Sequence, residues 1–245
     1  MEREMNGKGK AQRGKLLKNI ILLIFTTAVI LLLGASEAWA TSIAFYEDGV
    51  IQDGNVYSSV AVLNNATVDM TGGIVTEIFT AYDFSTVNVS GGVLNILDSW
   101  DSATLNLSGD VQVDELGVVY SGTVNMFGGN VGLIEAWNHS TSNLHGGTIS
   151  NYLLAYGDDS LTVNIYGYGF EYDPLAGDYR GGQLTGFWGD DTPFSIDLYY
   201  DDTPGGAIID TYPHIVLIPE PATILLFGLG AINIRISSFR KGEKR

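Results

Sequence analysis

No cysteine occurs among the 245 residues, which excludes disulfides, cysteine nucleophiles and thiolate metal ligands. Basic residues are scarce in the body of the chain: residues 41–218 hold 23 Asp or Glu but a single Lys or Arg, Arg180, for a formal charge near −22. Such a surface repels phosphates, so nucleic acid is excluded as a partner. Without disulfides, the fold must depend on buried apolar side chains and on hydrogen-bond ladders.

A short motif recurs through the middle of the chain at steps of 18 to 21 residues. Its copies are TVDMTGG from Thr67, TVNVSGG from Thr86, TLNLSGD from Thr104, TVNMFGG from Thr123, TSNLHGG from Thr141 and TVNIYGY from Thr162. Self-similarity at this period is typical of a solenoid, in which each coil buries a face by stacking on its neighbours.

Each copy alternates apolar and polar residues, which predicts a strand whose apolar side faces the core. The polar side forms a column from Asp69 to Asn164, where side-chain amides of successive coils can bond along the axis at a spacing of about 4.8 Å. The glycines after each strand permit the positive φ of a corner. We therefore expect an all-β fold, a parallel β-helix of about six coils, right-handed by the usual chirality of parallel connections.

The periodicity also sets the expected boundaries. Residues 41–66 lack the full repeat and are assigned to an N-terminal cap, residues 67–166 to the solenoid and residues 167–218 to a C-terminal β cap. In the C-terminal cap, residues 183–188 and 194–200 flank a Gly-Asp-Asp-Thr-Pro turn, which predicts a β-hairpin.

Residues 1–40 have the organisation of a signal peptide. Six Lys or Arg residues lie between Arg3 and Lys18, an apolar run follows from Ile20 to Leu33, and Ala38-Trp39-Ala40 supplies small residues at positions −3 and −1. We expect a helix here and cleavage by signal peptidase after Ala40. An uncleaved membrane anchor is the alternative.

The C-terminal residues 219–245 combine a turn, an apolar run and positive charge. Pro219-Glu220-Pro221 precedes the run from Ala222 to Ile234, and a basic tail follows with Arg235, Arg240, Lys241, Lys244 and Arg245. The prolines prevent a helix from continuing through the turn, so we expect a hydrophobic helix to start near Ala222. At about 1.5 Å per residue it reaches about 20 Å, a marginal membrane span that suits a transient stop, with the basic tail on the cytoplasmic side. A plain C-terminal helix of the core is the alternative to a membrane segment.

This tail closely resembles the PEP-CTERM sorting signal of Gram-negative bacteria, in which the Pro-Glu-Pro motif marks the region acted on by an exosortase. The usual family member has a longer apolar run that arginines follow at once. The resemblance implies export, a transient anchor in the inner membrane and presentation at the cell surface or in the extracellular matrix of a biofilm-forming bacterium, with the mature C-terminus anchored, lipidated or released. Signal peptidase and an exosortase are then the expected partners during export, and exopolysaccharide is the expected environment.

Few residues of the body are candidates for catalysis. Parallel β-helices are common among polysaccharide-degrading enzymes, and a hydrolase needs two carboxylates roughly 5 to 10 Å apart. Asp83 and Asp101 follow aromatics in successive coils and form the candidate pair, although such residues are more often solvated turn formers. His139, His145 and His214 show no metal-ligand spacing and receive no catalytic role.

Calcium is a weak ligand hypothesis that rests on pairs of adjacent aspartates. These pairs are Asp158-Asp159, Asp190-Asp191 and Asp201-Asp202. Neither the EF-hand spacing nor a Gly-Asp nonapeptide repeat accompanies them, and solvated turns are the simpler interpretation.

One aromatic residue recurs in each coil after the second strand: Tyr82, Trp100, Tyr120, Trp137 and Tyr156. If these rings point inward they belong to the core, which is the more common arrangement for one aromatic per coil. If they point outward, they form a strip on which sugar rings can stack. The sequence therefore favours an exported, non-enzymatic surface or matrix protein, and a glycan-binding or glycan-cleaving β-helix is the alternative.

Overall fold

The computed structural model describes residues 41–204 and 206–220, which contain seventeen strands and one short 3₁₀ turn. The strands are β1 Thr41–Phe45, β2 Gly49–Ile51, β3 Val56–Val62, β4 Thr67–Ala81, β5 Thr86–Ser99, β6 Thr104–Leu107, β7 Gln112–Val118, β8 Thr123–Met126, β9 Asn130–Asn138, β10 Thr141–Leu144, β11 Thr148–Ile149, β12 Leu153–Gly157, β13 Thr162–Asp173, β14 Arg180–Phe187, β15 Pro193–Asp201, β16 Ile209–Asp210 and β17 Ile215–Pro219. These ranges contain no α-helix, and they form a β-solenoid of about seven turns, which confirms the predicted fold class.

Three parallel ladders run along the solenoid. Face 1 contains β2, the starts of β4 and β5, then β6, β8, β10, the start of β13, and β17. Face 2 runs from the start of β3 through β4, β5, β7 and β9 to β11. Face 3 runs from β1 through the ends of the same strands to β12 and meets β15.

The apolar residue at every second position fills the space between the faces. On face 1 the buried positions are Val68, Met70, Val87, Val89, Leu105, Leu107, Val124, Met126, Leu144, Val163 and Ile165. One continuous cluster of buried side chains extends from Ile51 to Leu198. Strands buried on one face only must alternate in this way, and the alternation of the repeat motif therefore fixes the register of each coil.

Two kinds of corner turn the chain. The second glycine of each Gly-Gly pair adopts positive φ between face 1 and face 2, as at Gly92 with φ of 105°. The corner between face 3 and face 1 instead uses non-glycine residues in the left-handed region: Asn64, Asp83, Asp101, Tyr120 and Asn138. Asn and Asp tolerate this conformation better than most residues, which explains their recurrence at this corner.

The parallel ladders extend beyond residues 67–166, the region that the sequence repeat defines, at both ends. Residues 41–66, assigned above to an N-terminal cap, supply β1 to β3. In parallel ladders, β1 pairs with β3, and both β2 and β3 pair with β4. At the other end the predicted hairpin is present as β14 and β15, paired antiparallel. The last strand, β17, then returns to face 1 and pairs in parallel with β13.

Candidate functional site: the sorting motif and the outer face of the solenoid

The first two residues of Pro-Glu-Pro are part of the folded body. Pro219 is the last residue of β17 and lies opposite Gly167, and the backbone N–H of Glu220 donates to Gly167 O over 3.0 Å. The Glu220 side chain lies beside Gly189, in the turn between β14 and β15. Proline has no N–H to donate, and its place on a terminal strand agrees with its preference for sheet edges.

A column of stacked rings on the outside of face 1 ends near this motif. The His145 ring lies between Phe127, with centroids 4.8 Å apart, and Tyr166, with centroids 3.9 Å apart. Burial lowers the pKa of His145, and the carboxylate of Glu220 acts in the opposite direction. Burial therefore favours the uncharged imidazole, which packs as an aromatic ring in this column.

The recurring aromatic residues lie on the outside of the solenoid, so the expectation that they form core is wrong. Tyr82, Trp100, Trp137 and Tyr156 are each half-buried, and Tyr120 is 48% exposed. The backbone register aligns Val119, not Tyr120, with Trp100 and Trp137. Val118 pairs with Ser99 on one side and with Ala136 on the other, so the residue after it, Val119, is level with the two tryptophans. Tyr120 instead occupies the left-handed corner position.

Neighbouring rings among these recurring aromatic residues contact one another at their edges. The Trp137 and Tyr156 centroids are 5.6 Å apart at an interplanar angle of 72°, and Trp100 contacts Tyr120 at 5.6 Å and 65°. Each indole N–H points to a carboxylate: Trp100 Nε1 donates to Asp98 over 3.4 Å and Trp137 Nε1 to Glu135 over 3.3 Å. These contacts fix the orientation of both indoles.

The carboxylates beside the indoles lie on two coils, and a glycine occupies the equivalent position on the coil between them. Asp98, Gly117 and Glu135 occupy the same position on successive coils of face 3, and the Asp98 carboxylate lies against Gly117 where a Cβ would otherwise be. Two further titratable residues lie beside these carboxylates. Glu115 precedes Gly117 by two residues on β7, and Tyr152 donates from its hydroxyl to Glu135 over 3.3 Å. We refer to Trp100, Trp137, Asp98, Gly117 and Glu135 as the outer strip.

Burial first, and then the crowding of negative charge, raises pKa values in and beside the outer strip. Burial raises the pKa of Asp98, and Glu135 raises it further against a hydrogen bond from Trp100 that lowers it. Burial also raises the pKa of Glu115, with smaller contributions from Glu135 and Asp98. The pKa of Tyr152 rises to about 12, through burial first and then through Glu135. Protons are held more tightly here than at free carboxylates.

The candidate hydrolase pair, Asp83 and Asp101, forms part of the corner itself. Both residues have positive φ, 58° and 56°, and the Asp83 carboxylate accepts from the backbone N–H of Asn64 over 2.9 Å. Ser102 N–H donates to Asp83 O over 2.9 Å, so the two residues stack in adjacent coils. This geometry gives both aspartates a role in turning the chain.

The aspartates suggested as calcium ligands bond to their own turns or to single neighbours. Asp190 accepts from Thr192 N–H, and Asp201 accepts from Thr203. Asp191 accepts from Tyr168 OH and Asp202 from Arg180 over 2.7 Å. Within residues 41–204 and 206–220, no group of three or more His, Asp or Glu side chains is placed to hold a metal ion.

Asp158 has the most perturbed titration among these turns. Hydrogen bonds from Ser160 lower the pKa of Asp158 to about 2, and His139 contributes through its Nδ1, 3.0 Å away. Asp159, its neighbour, is exposed. His214 is the last residue of the 3₁₀ turn Tyr212–His214, which precedes β17.

Several predicted residues lie outside the described part of the chain. They are the signal-peptide residues Ala38 and Ala40, the third motif residue Pro221, and the basic residues Arg235, Arg240, Lys241, Lys244 and Arg245. In the described residues, no helix is long and apolar enough to cross a membrane. The signal peptide and the C-terminal hydrophobic helix remain predictions.

Comparison with protein families finds one match. Residues 217–237 match the family described as PEP-CTERM protein-sorting motif. No curated protein and no solved structure matches the chain. The matched segment begins within β17, covers Pro219, Glu220 and Pro221, and extends past the apolar run to include Arg235. The chain therefore carries a PEP-CTERM sorting motif behind a β-solenoid body, and the motif marks it as an exported protein that an exosortase sorts to the cell surface.

Proposed function

We propose that the protein is a non-enzymatic structural component of the surface or extracellular matrix of a Gram-negative bacterium. One observation carries this proposal: the core and the face 1 ladder continue without interruption from β2 to β17, which ends in the sorting motif. A stack of coils with a continuous core resists bending, because each rung is bonded to the next along all three faces. The solenoid then acts as a stiff, acidic spacer.

The charge of the body suits a hydrated matrix. With a formal charge near −22 over residues 41–218, the rod repels other copies of itself and acidic polymers. Neutral exopolysaccharide is the compatible environment. In this proposal signal peptidase removes residues 1–40, the apolar run from Ala222 holds the protein transiently in the inner membrane, and an exosortase processes it near Pro-Glu-Pro.

Cell fractionation tests the structural role. The native host and a strain without the exosortase are separated into inner membrane, outer surface and matrix, and the protein is detected in each fraction. We expect it in the surface and matrix fractions of the native host and in the inner membrane of the deletion strain. A matrix that keeps its mass and stiffness after deletion of the gene for this protein would contradict a structural role.

The outer strip favours glycan binding as a second candidate function. Two tryptophans, each hydrogen-bonded to a carboxylate, lie on the same side of face 3. Gly117, which has no side chain, lies between the two carboxylates. Indole faces stack on the apolar faces of sugars, and carboxylates accept hydrogen bonds from sugar hydroxyls. The surrounding negative charge selects neutral glycans over acidic ones.

Binding to neutral polysaccharides tests this second function. Retardation in gels that contain a neutral glucan is compared for the native body, Trp137→Ala, and Phe127→Ala as control, because Phe127 is 57% exposed on face 1. We expect Trp137→Ala to weaken binding about threefold to tenfold, the range for one aromatic contact. Equal retardation of all three proteins would contradict binding at the strip. Release of reducing ends that Asp98→Asn abolishes would instead indicate a hydrolase.

A further inference from the structure

The sorting motif follows the solenoid without a linker. Glu220 is still bonded to Gly167 through its backbone, and one residue, Pro221, separates it from the apolar run that starts at Ala222. An enzyme that processes an extended Pro-Glu-Pro segment needs access to its backbone and to both sides of its side chains. In the folded body, one backbone edge of Pro219 and Glu220 faces β13, and the Glu220 side chain lies against Gly189.

The strand that holds the motif is the least buried rung of face 1. No residue of β17 is fully buried, whereas the inner positions of β13, Val163 and Ile165, are completely buried. Among the described strands, β17 pairs with β13 alone. Terminal strands with few buried contacts open locally at a small fraction of the global unfolding free energy. β17 can therefore detach while the rest of the solenoid stays folded.

We propose that β17 is a releasable strap, and that the exosortase acts on the motif when β17 has separated from β13. The docked strand protects Pro219 and Glu220, and the fraction of detached strand sets the rate of processing, since a binding-competent state that is partly populated lowers the apparent affinity in proportion. The proposal depends on the sorting motif and not on the structural role of the body.

The asparagine column supplies a way to strengthen the strap. Val216 lies opposite Asn164 in the register and is 44% exposed, so it occupies the next position of the column beyond the last amide. In Val216→Asn, the introduced amide can donate to Asn164 Oδ1, as Asn164 itself donates to Asn143 over 2.8 Å. One added hydrogen bond shifts the equilibrium between docked and detached strand about threefold to tenfold.

A weakening variant and a matched control complete the set. Leu217 lies opposite Ile165 and packs against the core, so Leu217→Ser removes an apolar contact of the strap. Val50→Asn makes the same chemical change as Val216→Asn at the other end of the column, opposite Asp69, where the side chain is also exposed.

Pulse-chase labelling of the full chain in the native host measures conversion of the precursor. We expect conversion about threefold to tenfold slower in Val216→Asn, faster in Leu217→Ser and unchanged in Val50→Asn. Hydrogen exchange at the Glu220 amide, on full chain purified in detergent from cells without the exosortase, measures docking directly. We expect its protection to rise in Val216→Asn and to fall in Leu217→Ser.

Two results would overturn the strap. If protection of Glu220 changes as expected while conversion rates stay equal, the exosortase acts on the docked motif. If the Glu220 amide exchanges as fast as an unfolded peptide in the native chain, the strand does not protect the motif. Neither result affects the final location of the processed protein, which tests the structural role separately.

Discussion

Asn88 donates a hydrogen bond from Nδ2 to Oδ1 of Asp69 over 2.7 Å, and this bond ends a column of side-chain amides that runs along face 1. Every bond above it has the same direction, from the amide of one coil to the oxygen of the previous coil: Asn106 to Asn88, Asn125 to Asn106, Asn143 to Asn125 and Asn164 to Asn143, each over 2.8 Å. A carboxylate suits the terminal position, since it accepts hydrogen bonds and has none to donate.

Breaking the column at its centre should destabilise the solenoid. Asn106→Ala removes the bond that Asn106 donates to Asn88 and the bond that it accepts from Asn125. Each of these amides is half-buried, so we expect a loss of about 1 to 3 kcal/mol in the free energy of unfolding. Chemical denaturation measures it, with Gln112→Ala as the control at an exposed position of face 2. Equal midpoints for both variants would contradict a stabilising role for the column.

The amide column could be predicted from sequence because its spacing is a property of the repeat. Each Asn stands at the same offset between two apolar residues, and the register of Thr67, Thr86, Thr104, Thr123, Thr141 and Thr162 is preserved in the parallel pairing. The return of β17 to face 1 could not be predicted in this way. It joins β13 from about fifty residues away, and it lacks the Asn that marks the rungs from β5 to β13.

The position of the aromatic residues shows a second limit of the repeat pattern. Offsets counted along the sequence place Tyr120 with Trp100 and Trp137, but the backbone hydrogen bonds place Val119 there. The same pattern could not distinguish an inward from an outward column, because both have one residue per coil. The outer strip also depends on Gly117, whose missing side chain leaves space for the Asp98 carboxylate. This relationship between coils is visible only once the register is known.

Restoring the consensus residue at a defective core position should stabilise the protein. Ser142 occupies the inward position that Val124 and Val163 hold in the adjacent coils, it is completely buried, and its hydroxyl has no hydrogen-bond partner. Ser142→Val removes an unsatisfied polar group and adds buried apolar surface, so we expect a gain of about 1 to 3 kcal/mol. Thermal unfolding measures it. A lower melting temperature than that of the native chain would indicate that the site has no room for valine.

The raised pKa of Asp98 predicts a specific pH dependence. A carboxyl group that binds its proton more tightly when folded destabilises the protein at neutral pH. This destabilisation is lost as pH falls through the folded-state pKa and is absent below the ordinary value of 3.8. We expect Asp98→Asn to be more stable than the native chain at pH 7 and to change less between pH 7 and pH 4.

Asp114→Asn is the control for this measurement, because it removes the same charge at an exposed position. Melting temperatures of the native chain and both variants are compared at pH 7 and pH 4. Hydrogen bonds that lower carboxyl pKa values, as at Asp158, stabilise the fold fully above pH 3.8 and lose that effect mainly below it, so between pH 7 and pH 4 the pH dependence comes from the groups with raised pKa. Identical curves for Asp98→Asn and Asp114→Asn would mean that overall charge, and not the position of Asp98, sets the slope.

Trp188 joins the hairpin to the end of face 2, and its hydrogen bond should be measurable in the stability of the protein. The ring is 2% exposed, contacts Phe194 with centroids 4.3 Å apart, and donates from Nε1 to Gly147 O over 3.1 Å. Gly147 lies immediately before β11, the last strand of face 2. Trp188→Phe keeps an aromatic ring but leaves the partly buried Gly147 carbonyl without its donor, so we expect a loss of about 1 to 3 kcal/mol. Trp100→Phe, at a half-buried position of the outer strip, should lose less in the same denaturation experiment. If both variants lose the same amount, Trp188 contributes through ring volume, and its hydrogen bond does not hold the hairpin on the solenoid.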